Sequence, residues 1–257
     1  MSDTFVAFVT GASKGVGRGI AIGLAKAGWD VAINYCNDQA GAEQTAAVVS
    51  KAGRNAWLVK GDVGYSEQVT AMFAQLAPQA GRLRLVVNNA GVQTWASLLE
   101  LQEEDWDRVI RTNLKGTFLC TQAAARIMIQ HDGGSIINIG SGANKRPFPN
   151  LVDYGASKGG IERLTQVAAV ELGPKGIRVN CVAPGAIEIE RTQDESEDYA
   201  GTWAPITPAR RIGVPADVAE AVVFLASEHA SFITGQTVYV DGGLFTQAPW
   251  PYPPKDS

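Results

Sequence analysis

The sequence predicts an α/β fold, a doubly wound seven-stranded parallel sheet flanked by helices on both faces. Two observations carry that expectation. Short β-branched runs alternate with longer stretches whose apolar residues recur at helical spacing, the order that parallel strands and crossover helices impose on a chain. The first run also passes through a glycine-rich turn straight into a helical stretch, which is how an open parallel sheet presents a helix N-terminus at its carboxyl edge.

The elements follow in order. The run FVAFVT makes Phe5–Thr10 the first strand, and Ile20, Leu24 and Ala27 mark a helix over 16–27. Val31–Asn34 and Ala56–Lys60 are the next strands, with a helix at 39–51 between them and another at 67–78 after them. Leu83–Asn88 and Ser135–Ile139 flank a long helical stretch at 104–129. A helix at 153–172, marked by Ile161, Leu164, Val167, Ala168 and Leu172, leads to the strand Arg178–Val182. A helix at 215–226 and the strand Thr237–Val240 complete the pattern. No linker-like segment interrupts it, so residues 1–257 read as one domain.

Composition removes several functions. Among 257 residues there are 22 Lys and Arg against 26 Asp and Glu, without a basic cluster, so the footprint of a nucleic-acid binder is missing. Cys36, Cys120 and Cys181 are far apart and have no histidine beside them, which excludes a zinc site and suggests small buried thiols in a reducing compartment. The start MSDTFVAFVTG lacks a basic leader and its apolar run is short, so the protein is expected in the cytoplasm, with no membrane contact.

Two stretches depart from the α/β rhythm. EIERTQDESED at 188–198 carries six acids and one arginine just beyond a strand end, and reads either as a solvated loop or as part of a mobile lid over about 188–210. The proline-rich tail at 247–257 should be extended, either frayed or docked through Trp250 and Tyr252.

The pentapeptide GASKG occurs twice, at 11–15 and 155–159, in two different settings. In the first, Gly11, Gly15 and Gly17 lie between a strand and a helix, where free backbone N–H groups and the positive helix end suit a pyrophosphate. The spacing G-x-x-x-G-x-G differs from the G-x-G-x-x-G dinucleotide fingerprint. At the end of the second strand an NAD-type site places a carboxylate on the ribose 2′-hydroxyl, whereas INYCND has Asn34 there, with Lys14 in the glycine turn as a partner for a 2′-phosphate. This favours NADP(H) over NAD(H), with Asp38 a few residues on arguing the other way.

In the second copy Tyr154 precedes the pentapeptide, so Tyr154 and Lys158 are four apart and share one helix face. An ammonium beside a phenol favours the phenolate and makes the tyrosine a usable general acid/base.

With these residues in place the chain resembles the short-chain dehydrogenase/reductase family over roughly residues 4 to 245. The matching segments are TGASKGVG at 10–17, GDV at 61–63, NNAG at 88–91, Asn113 within WDRVIRTNLKG, Ser141, Tyr154, Lys158, and Pro184-Gly185. The resemblance implies a Rossmann-type sheet and a hydride-transfer site. Tyr154 would be the acid/base at the substrate oxygen, and Ser141 would steady that oxygen. Lys158 would bind the nicotinamide ribose, while Asn113 would hold a relay water. Ser13, Lys14 and Val16, with the three glycines, would form the pyrophosphate turn. Asp62 and Val63 would contact adenine, Asn89, Ala90 and Gly91 would back the ribose, and Ile187 would meet the carboxamide through its backbone. Asp62 also reads as a helix cap, and NNAG as a strand-end turn. Where the family commonly has PG-x-I-x-T, this chain has Ile189, so either Thr192 substitutes or backbone alone holds the carboxamide.

The segment SGANKRPFPNLVDY resembles the corresponding segment of bacterial glucose 1-dehydrogenases, while 3-oxoacyl carrier-protein reductases share most of the same motifs. Trp95 and Asn144 are candidate substrate residues, Trp95 reading equally as a core or interface aromatic. The family's usual assembly implies a homotetramer through the helices at 104–129 and 153–172. A reading of another class, a regulatory NADP(H)-binding module without turnover, is disfavoured by the intact Asn113, Ser141, Tyr154 and Lys158.

Overall fold

The computed structural model describes residues 4–192 and 196–247; the expected tail anchors Trp250 and Tyr252, and part of the acidic stretch, lie outside them. Seven strands form one sheet: β1 (Val6–Val9), β2 (Asp30–Tyr35), β3 (Ala56–Lys60), β4 (Leu83–Asn88), β5 (Gly134–Ile139), β6 (Ile177–Pro184) and β7 (Thr237–Val240). Their order is β3-β2-β1-β4-β5-β6-β7, and every pairing is parallel. The order reverses between β1 and β4, which opens a crevice at the carboxyl edge there.

The helices are α1 (Gly15–Lys26), α2 (Gln39–Lys51), α3 (Ser66–Gln75), α4 (Glu103–Val109), α5 (Gly116–Met128), α6 (Val152–Leu172), α7 (Tyr199–Trp203) and α8 (Pro215–Ala226), of which α1, α2, α3, α5, α6 and α8 pack on the sheet. Strand alternation splits the core into two layers. Val9, Ile33, Val87 and Ile137 pack with Ile20 and Leu24 of α1 and Val218 and Val222 of α8. Phe8, Ala32, Val86 and Ile136 face Met72 of α3, Cys120 and Met128 of α5 and Ala168 of α6.

Two helices differ from the sequence expectation. The helix expected over 67–78 ends at Gln75, because Pro78 allows only a 3₁₀ stretch, Ala77–Arg82. The helix expected at 104–129 is divided by a π-helical turn, Ile110–Lys115, between α4 and α5. That turn carries Asn113, and π-turns of this kind concentrate at functional sites.

A buried polar chain fixes the elements behind the crevice. Asn88 of β4 donates to the Thr121 hydroxyl of α5 at 3.0 Å and to Asn138 Oδ1 at 2.8 Å, and the Asn138 side chain on β5 donates to the Thr165 hydroxyl of α6 at 2.9 Å. Asn138 and Thr165 are fully buried, so these bonds hold α6 against the sheet in a single register.

Candidate active site

Four sequence-predicted residues meet at the carboxyl edge of β5. Lys158, 4% exposed on α6, donates from Nζ to the Ile139 carbonyl at the strand end at 2.7 Å. The same ammonium lies 5.4 Å from the centroid of the Tyr154 ring, one turn earlier on the helix. Ser141, two residues beyond β5, accepts from the Ala143 amide at 3.2 Å, which leaves its hydroxyl hydrogen for another acceptor. The turn after it runs alongside α6: a Cβ built on Gly155 would lie 4.0 Å from the Ala143 carbonyl oxygen.

Asn113 enters from the π-turn and is fully buried. Its carboxamide accepts from the Val92 amide at 2.8 Å, donates to the Val92 carbonyl at 2.8 Å, and donates to Ser157 Oγ at 3.0 Å. These bonds occupy the carboxamide, and the backbone carbonyl of Asn113 accepts from the Thr117 hydroxyl at 2.7 Å. Ser157 donates on to the Tyr154 carbonyl at 2.8 Å. Sequence reading passed over Ser157, although its place three residues after Tyr154 puts it on the same side of the helix.

On the other side of the crevice, the glycine turn is held by the NNAG segment. The Thr10 hydroxyl accepts from the Asn89 and Ala90 amides at 2.9 and 3.0 Å, and the Asn89 carboxamide donates to the Thr10 and Gly11 carbonyls at 2.9 and 3.1 Å. Gly11 has φ +61° and touches Ala90, where a Cβ would meet Ala90 Cα at 2.8 Å. A Cβ on Gly17 would lie 2.3 Å from the Gly11 carbonyl oxygen. Lys14 is exposed at the N-cap of α1 without a side-chain capping bond, and no acidic residue stands in the first turn. A turn closed to a Cβ at Gly11 and Gly17, at a helix end whose Gly15 amide already donates to a carboxylate from elsewhere in the chain, fits a pyrophosphate.

Asn34 requires a correction. Its side chain is 2% exposed and turns into the sheet, donating to the Val59 and Gly61 carbonyls at 3.1 and 3.0 Å and accepting from the Gly11 amide at 3.0 Å. It builds the glycine turn and does not face the open edge. Directly beyond β2 the side chains of Cys36 and Asn37 are exposed, and the exposure of Cys36 corrects the expectation of three buried thiols. Partial burial and then the Asp62 carboxylate push that thiol up, against the opposing pull of Lys60. Asp38 caps α2 by accepting from Gly41 at 2.9 Å, and Asp62 braces its own turn by accepting from Gly64 at 2.9 Å. Val63 is buried beside it.

Pro184 ends β6, and Gly185 leads on to a bridge between Ile187 and Gly213, made by the Ala186 carbonyl and the Glu188 amide. Ile187's own backbone groups take no part in that bridge. Thr192 is 3% exposed, and its hydroxyl donates to the Ile189 carbonyl at 2.7 Å, so it closes its own turn.

The proposed substrate residues separate. Trp95 is 57% exposed, next to the Ala96–Leu151 bridge at the start of α6. Asn144 donates to Glu162 at 2.5 Å. A cleft of about 740 Å³ lies between Arg146, Phe148, Trp203, Ile206, Arg210 and Phe245. Phe245 joins it to the site, because its ring covers Gly142, next to Ser141.

Comparison with known proteins agrees with this architecture. The family model described as Enoyl-(Acyl carrier protein) reductase matches residues 11–245. A 3-oxoacyl-[acyl-carrier-protein] reductase of Staphylococcus aureus is 40% identical over 245 residues, 95% of this chain and 100% of that one. A short-chain dehydrogenase/reductase of Armillaria gallica is 41% identical over 95% of this chain and 97% of its own. The crystal structure of acetoin dehydrogenase from Enterobacter cloacae superposes with a TM-score of 0.88 at 37% identity, covering 97% of this chain and 99% of the other.

Proposed function

Because the chain belongs to the short-chain dehydrogenase/reductase family and is an oxidoreductase interconverting CH–OH and carbonyl groups, we propose that it is NADP(H)-dependent, with Tyr154 as the acid/base. The observation that carries this reading is the Lys158 ammonium, buried between the Ile139 carbonyl and the Tyr154 ring. With that cation beside the ring, the phenol is placed to give its proton to a carbonyl oxygen or take one from an alcohol. Ser141 Oγ, accepting from Ala143, keeps its hydrogen to donate to that same oxygen.

The nicotinamide, when bound, supplies or accepts the hydride. The turn from Gly11 to Gly17 would hold the pyrophosphate, Asp62 and Val63 the adenine, and Asn89, Ala90 and Gly91 the ribose. Lys158 would hold the ribose at the nicotinamide end, and Ile187's backbone the carboxamide. The Asn113 carbonyl would hold the water that restores the Tyr154 proton. Lys14 at the cradle, together with the side chain of Cys36 in place of a carboxylate beyond β2, supports NADP(H); NAD(H) is the alternative. NADPH is expected to bind about tenfold more tightly than NADH, as one charge-assisted contact provides. A preference for NADH overturns that assignment.

For the substrate, the Pro147-Phe148-Pro149 segment supports a polyol or sugar, as in glucose 1-dehydrogenase-like members. A second reading, reduction of 3-oxoacyl thioesters on a carrier protein, is favoured by the full-length likeness to the Staphylococcus aureus reductase. An activity panel of glucose, short diketones and β-ketoacyl thioesters with both cofactors separates them. Tyr154→Phe is expected to lower kcat about 100-fold or more with cofactor binding retained; turnover equal to the parent overturns the acid/base assignment and favours a non-catalytic binding module.

Exposed apolar side chains on α5 and α6, namely Phe118, Val167 and Val170, the last 77% exposed, support a homotetramer formed through these helices. Gel filtration at one subunit's mass overturns it. A cytoplasmic location belongs to this proposal; as a separate observation, no helix among the described residues is long and apolar enough to cross a membrane.

A further inference from the structure

The acidic stretch after β6 supplies a group that the proposed chemistry does not use. Glu190 Oε2 accepts from the Gly15 amide at 2.9 Å, and its Oε1 pairs with Arg18 Nη1 at 3.2 Å. Gly15 is the first residue of α1, so this carboxylate, 175 positions away in sequence, sits on the helix end that forms the phosphate cradle. Its placement is built rather than incidental. Thr192 closes the 189–192 turn onto the Ile189 carbonyl, Ile189 packs against Gly15 with a Cβ built there at 3.6 Å from Ile189 Cδ1, and the Ile187–Gly213 bridge anchors the segment upstream.

We propose that Glu190 is a built-in competitor of the dinucleotide, its carboxylate taking the Gly15 N–H that the pyrophosphate needs. The inference rests on the cofactor reading given above. One N–H cannot serve a carboxylate and a phosphate together, and a glutamate left beside a pyrophosphate repels it. Cofactor binding therefore has to displace Glu190, and apparent affinity falls by the fraction of molecules in which the contact is made. Because Ile189 and Thr192 belong to the same turn, displacement also loosens residues 188–192.

The test is isothermal titration calorimetry of the full-length protein and its Glu190→Ala and Glu190→Gln variants, with NADPH, inorganic pyrophosphate and adenosine as separate probes. Glu190→Ala is expected to tighten NADPH and pyrophosphate about fivefold or more, the lower end of ordinary coupling between sites. Glu190→Gln, which keeps an acceptor without charge, should tighten them less, and adenosine should bind all three proteins alike. Amide hydrogen exchange over 188–192 is expected to rise in the parent when NADPH is added. Unchanged or weaker NADPH binding in both variants, or an equal gain for adenosine, overturns the competition. A parent that binds no dinucleotide overturns the cofactor reading as well, so the two failures are distinguishable.

Discussion

The Asn113 carboxamide donates to Ser157 Oγ at 3.0 Å, and that hydroxyl donates in turn to the Tyr154 carbonyl at 2.8 Å. A π-turn on one side and the first turns of α6 on the other are thus joined by a single buried hydroxyl, directly beneath the proposed acid/base.

Ser157→Ala removes that hydroxyl and strands a buried Asn113 N–H, which costs about 1–3 kcal/mol of stability. Urea denaturation measures this loss. With Tyr154 less firmly placed, kcat is expected to fall about tenfold with KM little changed, since positioning of a reacting group is felt in the chemical step.

Gly142→Ala tests the link between the serine turn and the cleft. A Cβ at Gly142 would lie 1.8 Å from the Phe245 ring, with Phe148 packed edge-on against the far side at 5.7 Å between centroids. The ring has to move, at a cost of about 1–3 kcal/mol. A lower Tm together with a raised KM for the carbonyl substrate is the expected outcome; unchanged values for both contradict the packing.

At the opposite edge of the sheet, burial pushes the Asp30 carboxyl up, but bonds from Asn55 and Arg82 outweigh it and hold the group below its ordinary range. A carboxyl lowered on folding adds stability that is complete above its unfolded value, about 4, and is lost as pH falls through the lower folded value. Denaturation curves of the parent should therefore show acid sensitivity below about pH 4 that Asp30→Asn reduces, the variant being less stable at pH 7.

The three cysteines should differ sharply towards a thiol reagent. Burial pushes Cys120 up to about 12 and Cys181 to about 11, while Cys36 is exposed and raised less. One fast-labelled thiol in the native protein and three in denaturant are expected by mass spectrometry. Labelling of Cys120 before unfolding contradicts the core packing.

Most of the sheet was legible in the sequence because each strand is a short β-branched run bounded by turn residues. The four-residue spacing of Tyr154 and Lys158 likewise placed both on one helix, and the family resemblance added Ser141, which the structure sets just beyond β5. The π-turn was not legible, since 104–129 carries one unbroken helical pattern and nothing in residue type signals a shift of the hydrogen-bond ladder. Asn34 was misread because strand position alone does not say which face a side chain takes, and a one-residue offset exchanges the open edge for the interior. Glu190 escaped notice among its acidic neighbours, its meaning coming from a partner far away in the chain.

The inward turn of Asn34 has a practical consequence for protein engineering. Its carboxamide bonds the Gly11 amide and the carbonyls of Val59 and Gly61, so it is part of the framework of the loop rather than of its selectivity. Attempts to exchange one nicotinamide cofactor for the other should leave Asn34 untouched and vary Lys14 and Cys36, whose side chains are exposed and carry no such framework bonds to the glycine turn.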